Sequence, residues 1–295
     1  MITQEKTQFV AEKAQAIRES IIEMLIAAGS GHTAGPLGMA DIFALLYFHV
    51  LKHDPKNPGW DGRDRLVLSN GHICPVQYAT MAHAGYFPID ELKTLRKFGS
   101  KLQGHPHREF LSASEVSSGP LGSGLGQAVG MAIADRIDNG DQSQRYFFAM
   151  LSDGEHDCGV MWESAMFAGK NRLHNLIAIV DRNNIQIDGN TEDIMPLEPL
   201  RQKWEAFNWH VQEVDGHNIE QIDTAIGEAK SAAQPSVIIA HTIPGKGIPE
   251  IERDYRWHGD PPGKGPTDKI PADKQGEVFL HELRTLRGKI IGEHE

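Results

Sequence analysis

The stretch Tyr146-Phe147-Phe148-Ala149-Met150-Leu151-Ser152-Asp153-Gly154 decides the fold. Residues 146–151 form an apolar run without polar alternation, and the run stops at a serine, a carboxylate and a glycine. So short and uniform a run reads as a strand covered on both faces, as strands of parallel sheets are. Two more such runs lie downstream, at 176–180 and 237–240. Amphipathic stretches at 122–137, 161–169 and 219–233 separate them and predict helices. Upstream, residues 6–28 carry Val10, Ala14, Ile17, Ile21, Met24 and Leu25 at helical spacing, and Gly29 supplies a stop. A second helical stretch covers 39–51. This alternation predicts an α/β fold: an open, mostly parallel sheet with helices on both faces.

The ends of the runs carry the chemistry. Ligands of an open parallel sheet bind outside the carboxyl ends of its strands. The first run delivers Asp153 and Gly154 there, and the second delivers Asp181-Arg182-Asn183-Asn184. Asp153 and Asn183 are thirty positions apart, about one strand-helix-strand unit, which places them over neighbouring strands. A carboxylate oxygen, an amide oxygen and a nearby main-chain carbonyl are hard ligands that suit a Mg²⁺ holding a diphosphate. Gly154 allows the backbone to approach phosphate oxygens. Asp-Gly and Asn-Asn also build ordinary turns, but the two together, at this spacing on these strands, favour the ligand reading.

Composition narrows the field. The chain has 295 residues, 40% hydrophobic and 23% charged, as a soluble globular protein does. A net charge of -11 argues against nucleic acid as the partner. No run approaches the apolar length of a membrane span, and the first residues, MITQEKTQFVAEKAQ, do not resemble a signal peptide. Two cysteines, Cys74 and Cys158, make no disulfide framework and suit a reducing cytoplasm. The glycine-rich 119–130, GPLGSGLGQAVG, lacks the order and the strand context of a dinucleotide loop.

Further motifs make the resemblance specific. Ser152-Asp153-Gly154 followed by Asn183 resembles the Gly-Asp-Gly and distant Asn of thiamine diphosphate enzymes. Ser30-Gly31-His32, Ser69-Asn70-Gly71-His72, Gly104-His105-Pro106, Gly119-Pro120-Leu121-Gly122, Ile187-Asp188-Gly189 and Trp257-His258-Gly259 are similar, in the same order, to motifs of transketolases. The matches spread over residues 29–260. The resemblance implies a thiamine diphosphate-binding domain of the diphosphate-binding (PP) type over residues 1–263, with 264–295 a loop and a short helix near 277–291 rather than a separate domain.

It also implies roles. His32, His72, His105 and His258 would line the cleft around cofactor and ketose, holding sugar hydroxyls and exchanging protons as neutral or charged imidazoles. His72 and His258 would lie nearer the diphosphate, and Gly119, Leu121, Gly154 and Asn183 would also contact the cofactor. Asp153, Asn183 and the carbonyl of Ile185 would bind Mg²⁺. Lys246 is either a diphosphate contact or a solvated loop lysine, and His49, His53, His83, His174, His210 and His294 read as surface or capping residues.

The implied reaction moves a two-carbon ketol unit from a ketose to an aldose, with the cofactor as electron sink. Activating that cofactor takes a glutamate from a second, pyrimidine-binding domain, for which the residues after Gly263 leave no room. The resemblance therefore implies the N-terminal subunit of a split transketolase, active only with a C-terminal partner subunit in an α2β2 heterotetramer. The alternatives are a subunit of another thiamine diphosphate enzyme, such as the α subunit of a 2-oxo acid dehydrogenase, and a non-catalytic paralogue. The chain departs from the family pattern at Ser152, at Cys158 (a glutamate facing the neighbouring site in many transketolases), at Thr33-Ala34-Gly35 and at Ile73-Cys74. The last two changes, expected to border the sugar pocket, point to an unusual ketose.

Overall fold

The computed structural model describes residues 2–141 and 143–285. Helix α1 (Gln4–Ala28) starts where the Thr3 side chain accepts from the amide of Lys6, and ends at Gly29 in left-handed geometry, whose amide bonds Leu25 O at 2.9 Å. All six apolar positions singled out in its sequence are buried. A short helix, α2 (Ala34–Gly38), precedes the expected helix at 39–51, which is present as α3 (Ala40–Leu45) continued by a wider helical turn at Leu46–Val50, where the amide of Leu51 reaches back to Leu46 O.

A first strand that composition did not reveal, β1 (Arg65–Leu68), precedes α4 (Cys74–His83) and α5 (Ser123–Asn139). The deciding stretch is β2 (Phe147–Ser152), followed by α6 (Gly159–Asn171) and β3 (Leu176–Arg182). A small antiparallel hairpin, β4 (Ile185–Gln186) with β5 (Gly189–Asn190), comes next, and then the short helices α7 (Thr191–Ile194) and α8 (Leu200–Ala206). The chain closes with β6 (His210–Asp215), α9 (Ile219–Ser231), β7 (Ser236–His241) and α10 (Ala272–Thr285).

The five long strands form one parallel sheet in the order β1-β2-β3-β7-β6. Successive residues of a strand point to opposite faces, and here each face has its own core. Phe148, Met150, Ile177, Ile179 and Ile238 join helices α1, α3, α4, α9 and α10. Phe147, Ala149, Leu151, Ala178 and Val180 join α5, α6 and α8. That is why the central runs carry no polar alternation. Each fully buried large apolar side chain contributes roughly 1.5–3 kcal/mol.

The tail departs from its sequence reading. Its helix begins at Ala272 and packs Phe279 and Leu283 into the first core, and the expected portion beyond Thr285 lies outside the described residues. The loop before it is tied down by buried Gln275, which accepts from the amide of Gly263 at 2.9 Å and donates to the carbonyls of Pro266 and Ile270 at 2.8 and 3.2 Å. Among the described residues no helix is long and apolar enough to cross a membrane.

Candidate active site

Because the strands are parallel, their carboxyl ends open on one edge. Asp153 follows β2 directly, Asn183 follows β3, and Ser69-Asn70-Gly71-His72 follows β1. A cavity of about 360 Å³ lies over these ends, the size of a small-molecule site. It is lined by His32, His72, His105, Gly119, Leu121, Asp153, Gly154, Asn183, Ile185 and His258, and also by Ser152, Glu155, Gln186, Ile187 and Asp188. Every residue assigned a site role from sequence therefore meets in one place. His49, His53, His83, His174, His210 and Lys246 do not line it, and His294 lies outside the described residues. His53 is no surface residue: it is half-buried between Tyr86 Oη at 3.0 Å and Tyr47 O at 2.7 Å.

One wall is imidazole. The ring centres of His32 and His72 are 4.9 Å apart, those of His32 and His258 5.4 Å, and those of His72 and His258 5.2 Å. Burial makes their charged forms unfavourable. It lowers His32 to about 3, helped by His258, Arg96 and His105, and it lowers His72, His105 and His258 as well. These four are neutral near pH 7, so the expectation of neutral or charged rings narrows to neutral ones. Nδ1 of His32 and Nδ1 of His258 are buried with no hydrogen-bond partner among the described residues. Buried polar atoms of this kind call for a ligand or water.

Another part of the lining is a carboxylate turn. Asp153 Oδ1 accepts from the amide of Gly154 at 2.8 Å. Its Oδ2 accepts from the amide of Asn184 at 2.7 Å, from Thr191 Oγ1 at 3.3 Å and from Arg182 Nη1 at 3.2 Å. Burial raises the Asp153 carboxyl, opposed by Arg182 and the two amides. Arg182 is itself buried and also donates to Glu192 at 2.6 Å and Glu198 at 3.0 Å, so its charge is shared among three carboxylates. The Asn183 amide is oriented by Asp181, whose Oδ2 accepts from Nδ2 at 2.8 Å. This leaves Asn183 Oδ1 as an acceptor, used by the amide of Ile185 at 3.0 Å. Burial pushes Asp181 up to about 7, opposed by the hydroxyl of Thr242 and the Asn183 amide.

Glu155 is a site residue that the sequence marks only as a nearby carboxylate. It is fully buried and joins two strand ends to the start of α5. Its Oε1 accepts from Ser69 Oγ and from the amide of Gly122 (2.5 Å), and its Oε2 from the amide of Ser152 (3.1 Å). No spacing signal marks it, because two of its three partners, Ser69 and Gly122, are far away in sequence. The glycines of 119–130 serve this junction: Gly122 has φ 85°, and a side chain at Gly124 would stand 2.4 Å from Ser69 Cβ. No strand directly precedes α5, in keeping with the rejection of a dinucleotide loop.

Residues expected to border the sugar pocket lie one layer back. Thr33, Ile73 and Cys74 are buried and absent from the lining. Thr33 Oγ1 donates to Asp260 O at 2.6 Å, and Cys74 Sγ donates to Gly104 O at 3.2 Å, so these departures support the segments carrying His258 and His105. Cys158, a free thiol, sits against Gly122 outside the lining.

Hard oxygen donors at Asp153, Asn183 and Ile185, a glycine at 154 and unpartnered buried ring nitrogens in the same cavity fit a metal-bound diphosphate.

Residues 10–275 match the family described as transketolase, thiamine diphosphate binding domain. The chain is 47% identical over 247 residues to the 6-deoxy-6-sulfo-D-fructose transketolase subunit SqwG of Clostridium sp. (strain MSTE9), covering 83% of this chain and 89% of that one. It is 37% identical over 267 residues to one subunit of the apulose-4-phosphate transketolase of Phocaeicola vulgatus, covering 90% of each. Its structure superposes on transketolase from Campylobacter jejuni with a TM-score of 0.82 and 32% identity, covering 98% of this chain but 48% of that one. The chain thus spans nearly all of the two shorter relatives and about half of the longer enzyme.

Proposed function

This chain belongs to the family of transketolase thiamine diphosphate-binding domains, and from that premise we propose that it is the N-terminal subunit of a two-component transketolase. The reaction is transfer of a two-carbon ketol unit from a ketose to an aldose, with thiamine diphosphate and Mg²⁺. The observation that carries this reading is the cavity at the strand ends, which four histidines line together with Asp153 and Asn183.

Asp153, Asn183 Oδ1 and the Ile185 carbonyl would hold Mg²⁺. The Arg182 charge is balanced by Glu192 and Glu198, so Asp153 keeps negative charge for the cation. Gly154 and the N–H groups of His72 and His258 would face the diphosphate, and Gly119 and Leu121 the rings of the cofactor. Bound thiamine diphosphate supplies the electron sink for cleaving the bond beside the ketose carbonyl. His32 and His105 hold substrate hydroxyls and move protons to and from them, a task suited to imidazoles that are uncharged at pH 7. Residues 1–263 make up the proposed cofactor-binding unit, and the loop and helix at 264–285 belong to the same domain.

The partner is a subunit carrying the pyrimidine-binding domain and its activating glutamate, in an α2β2 assembly in the cytoplasm. Support comes from the two relatives of similar length, both named as subunits. The sugars in their names, 6-deoxy-6-sulfo-D-fructose and apulose-4-phosphate, support a ketose outside the common pentose phosphates. The test is ketol transfer by the full chain, alone and with a candidate pyrimidine-domain subunit, over a panel of ketoses with thiamine diphosphate and Mg²⁺. Activity of the mixture alone is expected. Turnover by the chain alone would sink the partner requirement, and equal preference for common pentulose phosphates would remove the unusual-ketose reading.

A further inference from the structure

His156 lies outside the cavity, behind the turn that carries Asp153 and Gly154, and is 2% exposed. Its Nε2 accepts from the indole N–H of Trp204 at 3.2 Å. An indole nitrogen can only donate, so Nε2 carries no proton, and the ring is held in one tautomer with its proton on Nδ1. That nitrogen faces two acceptors, the carbonyls of Ser152 at 2.9 Å and of Asp153 at 3.1 Å. Burial lowers the imidazole to about 4, which keeps it neutral and the tautomer unchanged near pH 7.

The two carbonyls belong to the peptide planes on either side of Asp153. In a planar trans peptide the C=O and N–H point in opposite directions. Drawing the Asp153 carbonyl toward His156 therefore turns the amide of Gly154 the other way, where it donates to Asp153 Oδ1 at 2.8 Å. A relay runs from Trp204 through His156 and one peptide plane to the carboxylate on the cavity wall. Trp204 is fully buried, and Trp162 closes the other side, donating its indole N–H to His156 O at 2.8 Å.

We propose that His156 is a positioning residue: its Nδ1–H, locked in place by Trp204, sets the direction in which Asp153 and Gly154 face the metal and diphosphate. The destination rests on the cofactor reading above, whereas the fixing of the turn does not. The relay predicts an asymmetry between isosteres. In His156→Asn the side-chain amide sits where Nδ1 was and still donates to the carbonyls. In His156→Gln the polar end sits where Nε2 was, so the Trp204 bond survives and the carbonyl bonds are lost.

The experiment uses the full chain as parent, His156→Asn, His156→Gln and His156→Leu. Hydrogen exchange is followed in the peptide covering 147–158, and calorimetric titration with thiamine diphosphate and Mg²⁺ in the presence of the pyrimidine-domain subunit follows binding. The turn is expected to exchange about tenfold faster in the Gln and Leu variants, with cofactor affinity down about 10–100-fold. The Asn variant should stay within about threefold of the parent in both. Equal behaviour of Asn and Gln would overturn the proposal, and this comparison stands even if Leu fails to fold. No cofactor binding by the parent, with the Asn–Gln difference in exchange intact, would sink the cofactor reading and leave the turn-fixing role in place.

Discussion

The two walls of the cavity are built on opposite plans. On the carboxylate side the protein satisfies itself: Asp153, Glu155 and Arg182 are buried and tied to backbone amides, hydroxyls and each other. On the histidine side Nδ1 of His32 and Nδ1 of His258 have no hydrogen-bond partner among the described residues. The first wall is preorganised and rigid before any ligand arrives. The second carries a desolvation cost that only a ligand or water offsets. A self-satisfied wall holds its shape without a ligand, while an unsatisfied one keeps hydrogen-bonding capacity for whatever binds.

If that contrast is right, the walls respond differently to mutation. The largest effect is expected from Arg182→Met. It leaves Asp153 buried without its cation and should lower stability by about 3–5 kcal/mol, read by urea denaturation. A loss under about 1 kcal/mol would mean that the turn does not depend on its ion pairs. Glu155→Gln replaces an acceptor of three donors with a group that is half donor, and about 1–3 kcal/mol should be lost. Unchanged stability there would break the comparison, because the junction would tolerate an unmatched donor.

The smallest effects belong to the histidines. His32→Asn should stay within about 1 kcal/mol of the parent near pH 7.5, since the ring there is neutral and its Nδ1 unpartnered. Acid should separate the two. His32 titrates at about 3 when folded and near 6.5 when free, so between those values the unfolded chain binds more protons. Stability contributed by the neutral ring is present above about 6.5 and is lost as pH falls toward 3. The parent should therefore weaken faster than His32→Asn between pH 6.5 and 4.5, by up to about 1.4 kcal/mol per pH unit. Parallel pH profiles would show that the ring is solvated rather than desolvated.

Legibility in sequence followed burial. Strands β2, β3 and β7 were readable because both faces are covered, so their central residues are all apolar. Strand β6, His-Val-Gln-Glu-Val-Asp at the sheet edge, is half-exposed and mixed in composition, and β1 is only four residues long. Helix α4 is buried over nearly its whole length, so it shows no amphipathic stripe. The cavity residues were legible where glycine-flanked histidines and strand-end carboxylates recur in motifs. Glu155, His156 and Arg182 were not, because their work depends on partners such as Ser69, Gly122, Trp204 and Glu198.

By itself the sequence determined that the three central runs are strands, that those strands run parallel, and which chemical groups stand at their carboxyl ends. These follow from local patterns of apolarity and from the direction of the chain. Only the tertiary structure decided that the four histidines are neutral, that Glu155 is a junction and that His156 holds one tautomer. Protonation and hydrogen-bond direction depend on desolvation and on neighbours brought together through space. His32 and His258, 5.4 Å apart in the fold and at opposite ends of the chain, have no local pattern that could record it.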